Sequence, residues 1–174
     1  SWRVALAVLA LLGVAGGAQA HPAPFSFLDA RLQPGTLDIS VVAHVFDVGH
    51  DIGVEPPEQL LNPDYLATKT GAITALITPR LHILLDGASV PLQWSAVDTL
   101  PDRQAIRLRA SVRLDRTPGA IAIDALLFPY DPVHQTFINV YESDALASQA
   151  ILSVGRTRHE YFAGNRQGVW AVVK

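Results

Sequence analysis

At 174 residues, 49% hydrophobic and 17% charged, the chain has the composition of one folding domain rather than a disordered segment. It contains no cysteine, which excludes a disulfide framework, a thiolate metal site and a cysteine nucleophile together. The formal net charge is −3 and no basic block is present, which argues against a nucleic-acid partner.

The chain opens on a leader. Trp2-Arg3 precedes "VALAVLALLGVAGG", residues 4–17, a charge-free run. It is short of the ~20 residues a membrane-spanning helix needs and fits the apolar region of a secretory signal. Ala18-Gln19-Ala20 has the A-x-A form of a cleavage site. Residues 1–20 are therefore expected to be a signal-peptide helix whose natural start lies upstream of Ser1, since the sequence has no methionine. Cleavage after Ala20 would make His21 the first residue of an exported chain with 12 basic and 16 acidic residues.

"FLDARLQPGTLDISVVAHVF" reads as a hairpin turning at Gln33-Pro34-Gly35. Leu37, Ile39, Val41, Ala43 and Val45 fall on one face of its second strand, and Asp38, Ser40 and His44 on the other. The stretch "DVGHDIGVEPPEQLLNPDYLATKTGAITALITPRL" breaks that alternation. Pro56-Pro57 and Pro63 punctuate it, and residues 58–61 have room for one turn of helix. Asn62 is an N-cap ahead of Pro63, and Leu66, Ile73, Leu76 and Ile77 recur at helical spacing. A helical insertion over residues 62–78 is expected.

From Leu81 the β signal returns. "LHILLDGASVPLQW" is two short strands around Asp86-Gly87. In "AIRLRASVRL", Ile106, Leu108, Ala110, Val112 and Leu114 face inward, and Arg107, Arg109, Ser111 and Arg113 face water. Arginines spaced by two on a solvated strand are read as a solubility device rather than an anion site. "TPGAIAIDALLF", "QTFINVYES" and "ASQAILSVG" are three further strands. Eight or so short strands at this spacing predict a mainly β fold, an antiparallel, immunoglobulin-like β-sandwich with a short helical insertion over residues 21–164. In "RQGVWAVVK" an apolar patch follows a polar, Gly-containing stretch, and residues 165–174 are expected to be a juxtamembrane segment entering a membrane domain beyond Lys174.

The segments "HPAPFSFLDARL", "VVAHVFDVGHDIGVEPPEQLLNPDYL", "FPYDPVHQTFINVYES" and "GNRQGVWAVVK" together resemble the N-terminal, extracytoplasmic part of HupE/UreJ-type membrane proteins. The resemblance spans nearly the whole chain in the order signal, domain, pre-membrane segment. It implies a β-rich domain on the periplasmic face, followed by a His-rich multi-helix membrane domain linked to nickel handling in hydrogenase and urease systems.

Chemistry is expected at histidine. No Gly-rich phosphate loop, G-x-S-x-G, H-E-x-x-H or C-x-x-C motif occurs, so no enzyme is expected. Imidazole suits Ni²⁺, Cu²⁺ and Zn²⁺, and without thiolates it would carry any such site. His44, Asp47, His50 and Asp51 fall close together in "HVFDVGHD", on a strand leading into a loop where they could converge on one cation. His21 offers, after cleavage, an α-amine as well as a ring nitrogen. Pro22 has no N–H, so the amine–imidazole chelate is the mode left to it. His21, His44, Asp47, His50 and Asp51 are thus the candidate ligands for Ni²⁺ or Cu²⁺. His82 reads as a surface or half-buried residue, His134 as the start of a strand and His159 as exposed. Two other readings remain open: an interaction or structural module without metal, and a periplasmic copper-binding protein of the CopC kind.

Overall fold

The computed structural model describes residues 25–163. The expected signal peptide, His21 and the juxtamembrane segment lie outside these residues. The fold is mainly β, with antiparallel-rich sheets. β1 (Phe25–Gln33) and β2 (Thr36–His44) form the expected hairpin, with Gly35 at φ +80° in its turn. Then come α1 (Val45–Ile52), a 3-10 turn (Pro57–Leu61) and α2 (Pro63–Ile77). β3 (Leu81–Leu85), β4 (Ala88–Val90), β5 (Trp94–Leu100), β6 (Ala105–Arg113) and β7 (Ala120–Ala125) follow. β8 (Gln135–Glu142), β9 (Ala145–Leu152) and β10 (Arg158–Phe162) complete the described chain.

The strands form a six-stranded sheet ordered β5-β6-β2-β1-β8-β9 and a four-stranded sheet ordered β10-β7-β3-β4. Alternation sends Leu28, Ala30, Leu37, Ile39, Val41, Leu108, Ile138 and Val140 of the first sheet into the same buried cluster as Ile83, Ile121 and Ile123 of the second. Two hydrogen bonds tie the sheets along one seam: Ser148 Oγ with His159 Nε2 at 3.0 Å, and Tyr161 to Glu142 at 2.6 Å. The inward registers expected over 37–45 and 106–114 hold, with Val112 and Leu114 half-buried at the rim. Of the arginines, Arg109 and Arg113 are exposed and Arg107 is half-buried. Arg107 and Arg109 both reach Asp98 on β5, at 3.5 and 2.6 Å.

α2 forms as its sequence dictates. The Asn62 side chain accepts from the backbone N–H of Asp64 and of Tyr65, and Pro63 occupies the first turn. Leu66, Ile73 and Ile77 share one face and enter the core, and the helix packs against β5.

Several expectations need correction. β1 pairs with β8 in parallel, Phe25 opposite Gln135 through Leu32 opposite Glu142, so the large sheet is not purely antiparallel. β5 and β10 add two strands not expected from the sequence. Both are edge strands, and β5 is half-buried along almost its whole length, so it shows no alternation. His159 is buried, because β10 turns it toward Ser148.

The parallel pair also sorts the loops. The starts of β1 and β8, the end of β2, α1 and the segment 126–134 lie at one end of the molecule. The turns at 33–35 and 142–143, the loop 117–119 and Ala163 line one recess at the other.

Candidate functional site

The stretch expected to be strand and loop is a helix, and this reorganises the candidate ligands. β2 stops at His44, which is extended (φ −69°, ψ 141°), and its Nδ1 accepts from the Phe46 N–H at 3.3 Å, capping α1. Asp47 lies in the first turn, the helix end that a carboxylate suits, and His50 in the last. Gly53 closes the helix in the left-handed region (φ +68°) and its N–H bonds the Gly49 carbonyl. The sequence signals for this helix were present in Gly53 and in Val45, Val48 and Ile52. They were masked by Gly49 and the β-branched residues, which favour other conformations.

The helix separates the candidates. His44 stacks on Phe46 (5.3 Å between ring centres) and serves as a cap. Burial holds its pKa below the ordinary value, against the opposing charges of Asp47 and Glu58. His50 places Nδ1 3.0 Å from Asp51 Oδ1, and Asp51 Oδ2 pairs with Arg80. Arg80 also donates to the Leu127 carbonyl at 2.6 Å, fixing α1 to the segment before β8. Asp47 points inward, 6% exposed, and its Oδ1 accepts from the Tyr130 hydroxyl at 2.6 Å. His50 covers the same tyrosine, ring on ring at 3.8 Å. Burial, followed by the hydrogen bond and charge of Asp47, holds the Tyr130 pKa well above its ordinary value. Thus Asp47, His50 and Asp51 belong to one polar cluster, and His44 stands apart as its cap.

The residue the sequence undervalued is His134. It precedes β8 in the turn 128–134 and is 4% exposed. Phe128 meets its ring edge-on at 4.9 Å, and its Nε2 lies 3.0 Å from Ser26 Oγ. Its Nδ1 faces Asp47 Oδ2 at 3.7 Å without a hydrogen-bond partner. Burial is the largest influence on its pKa and lowers it, outweighing Asp47 and Asp131. Only the parallel β1–β8 register brings Ser26 beside His134, a contact across 108 residues that no local pattern signals.

Hydroxyl, imidazole and carboxylate here follow the order of an acyl-transfer triad. Ser26, however, has zero exposure and offers no face to a substrate. Among the described residues no group of three or more His, Asp or Glu side chains converges as a metal cluster. Also among them, no helix is long and apolar enough to cross a membrane.

A second surface lies on the outer face of the large sheet. Phe25 and Phe27 are exposed and both contact Phe137, edge-on at 5.2 Å and stacked at 5.4 Å. Val42 and Ile151 extend the row on either side. No family model matches the sequence, and neither does any curated protein.

Proposed function

We propose that the chain is the extracytoplasmic domain of a HupE/UreJ-like membrane protein, and that it assists the uptake or handling of Ni²⁺ or another divalent metal outside the membrane part. In this reading the two sheets form an immunoglobulin-like β-sandwich, residues 1–20 direct export to the periplasmic side, and the membrane domain follows Lys174. The supporting observation is topological. The parallel β1–β8 pair gathers the start of β1, α1 and the 126–134 segment at one end of the fold. His21 stands four residues ahead of Phe25 in the sequence, and Phe25 opens β1 at that end. Asp47, His50 and Asp51 of α1 thus share the end at which β1 begins.

The test is titration calorimetry of Ni²⁺ and Cu²⁺ into the exported protein, with its first residue identified by mass spectrometry. Binding is expected, weakened when one Gly is added ahead of His21. Failure of both ions to bind would overturn the metal reading. The exposed Phe25, Phe27 and Ile151 row supports a second reading, an interaction module without metal. That reading predicts the absence of binding.

A further inference from the structure

Asp47 and His134 are held as metal ligands are held. Each has two polar atoms that could act, and in each the outer one is already tied. His134 Nε2 is bonded to the buried Ser26 hydroxyl, and Asp47 Oδ1 to the Tyr130 hydroxyl. The remaining atoms, His134 Nδ1 and Asp47 Oδ2, face each other at 3.7 Å. That separation is too long for an N–H···O hydrogen bond. Nδ1 has no hydrogen-bond partner, a rare state for a buried imidazole nitrogen. In the tautomer whose Nε2 accepts from the Ser26 hydroxyl, an Nδ1–H faces Asp47 from beyond hydrogen-bond reach; in the other, whose Nε2 donates to Ser26, Nδ1 turns a lone pair toward a carboxylate oxygen and two acceptors oppose one another. A cation between them removes the conflict. Two ligands each about 2.0–2.1 Å from one tetrahedral ion stand ~3.4 Å apart, within a few tenths of an ångström of the separation found. Hydrogen bonds on the outer atoms are the usual means by which proteins orient ligating His and carboxylate groups.

We propose that Asp47 Oδ2 and His134 Nδ1 are the protein half of a divalent-cation site, with Ser26 and Tyr130 as positioning residues. The proposal rests on the metal-handling reading and names its seat, which lies away from His44. One imidazole with one carboxylate selects borderline ions such as Zn²⁺, Ni²⁺ and Cu²⁺ over Mg²⁺ or Ca²⁺. With only two ligands from the described residues the ion is released readily, which suits a transit site. His50, its side chain 57% exposed and stacked on Tyr130, is the outward neighbour of the pair.

The experiment titrates Zn²⁺, chosen as a diamagnetic probe, into the exported chain with ¹⁵N-labelled histidine. Long-range ¹H–¹⁵N spectra of the imidazoles are read beside calorimetry. The His134 Nδ1 resonance is expected to move with saturation of one site. Asp47→Asn and His134→Gln should each weaken binding at least ~10-fold, and His44→Ala should leave it unchanged. Because His134→Gln risks unfolding, the spectrum of the unsubstituted chain is the deciding measurement. Zn²⁺ binding that leaves His134 unmoved and survives Asp47→Asn overturns this site while sparing the metal reading. Absence of Zn²⁺, Ni²⁺ and Cu²⁺ binding overturns both. A His134 spectrum showing both ring nitrogens protonated, without metal, replaces the site by an ion pair and also overturns it.

Discussion

Tyr130 donates its phenol proton to Asp47 across 2.6 Å and 83 residues of sequence, joining α1 to the loop ahead of β8. The carboxylate it serves is nearly buried, so the bond answers a charge that water reaches poorly. Tyr130→Phe keeps the ring that His50 stacks on and removes only the donor. It should lower stability by about 1–2 kcal/mol, since hydrogen bonds to charged groups exceed neutral ones. Urea denaturation of the two proteins side by side measures this; equal midpoints and slopes would refute it.

Gly49 is the point at which α1 approaches the 3-10 turn. A Cβ there would lie 2.7 Å from Pro57 Cβ and 3.1 Å from the Val54 carbonyl oxygen. Neither neighbour is the far end of a flexible side chain. Gly49→Ala should therefore cost about 1–3 kcal/mol, the usual penalty of overpacking, despite alanine's better helix propensity. Thermal unfolding should show a clear fall in Tm.

Gly71 is the opposite case. It lies in α2, is exposed, and a Cβ there would meet nothing within 4 Å. Gly71→Ala should raise stability by roughly 0.5–1 kcal/mol through helix propensity alone. The same thermal scans test it, and a fall in Tm would show that the helix surface is engaged elsewhere.

His159 gives stability a pH dependence. Burial, with a smaller contribution from Arg156, lowers its pKa from 6.5. The unfolded chain therefore takes up a proton before the folded one does. The stabilisation is full above about pH 6.5 and declines as pH falls below that value toward the folded pKa. His44, lowered mainly by burial, acts in the same direction. Denaturant midpoints taken across pH 5–8 should fall on the acid side, and His159→Gln should reduce the slope while keeping a group able to bond Ser148.

Asp86 organises the far turn. Its Oδ1 accepts from the N–H of Gly119 and of Ala120, Oδ2 pairs with Arg116 at 2.9 Å, and its φ is +50°. Asp86→Ala loses those acceptors in a left-handed conformation that alanine disfavours, and should cost about 1–3 kcal/mol. Asp86→Asn keeps one acceptor and tolerates the conformation, so chemical denaturation should place it between the two.

Legibility in the sequence followed the range of the determining forces. Alternation over Leu37–Ala43 and Ile106–Ala110, the Asp86-Gly87 turn and the Asn62-Pro63 helix start are local, and each took its expected form. α1 was missed because Gly49 depresses helix propensity where Pro57 demands a residue without a side chain. β5 was missed because it is half-buried along almost its whole length, and β10 because it has only five residues and its inward positions are His159 and Tyr161 rather than aliphatic. At the site, Asp47, His50 and Asp51 were visible as a dense polar run. Ser26, Tyr130 and His134 were not, since their partners are set by the pairing of strands more than 100 residues apart.

β1 also fixes a distance. Its eight steps from Phe25 to Gln33, at about 3.3 Å each, hold the histidine end of the protein roughly 26 Å from the recess where Ala163 emerges beside Gln33 and Pro34. Were the following segment rooted in a bilayer, as the reading proposed above has it, Asp47, His50 and His134 would lie at the opposite end of the sheet from the point where that segment leaves the fold, with the length of β1 between the two.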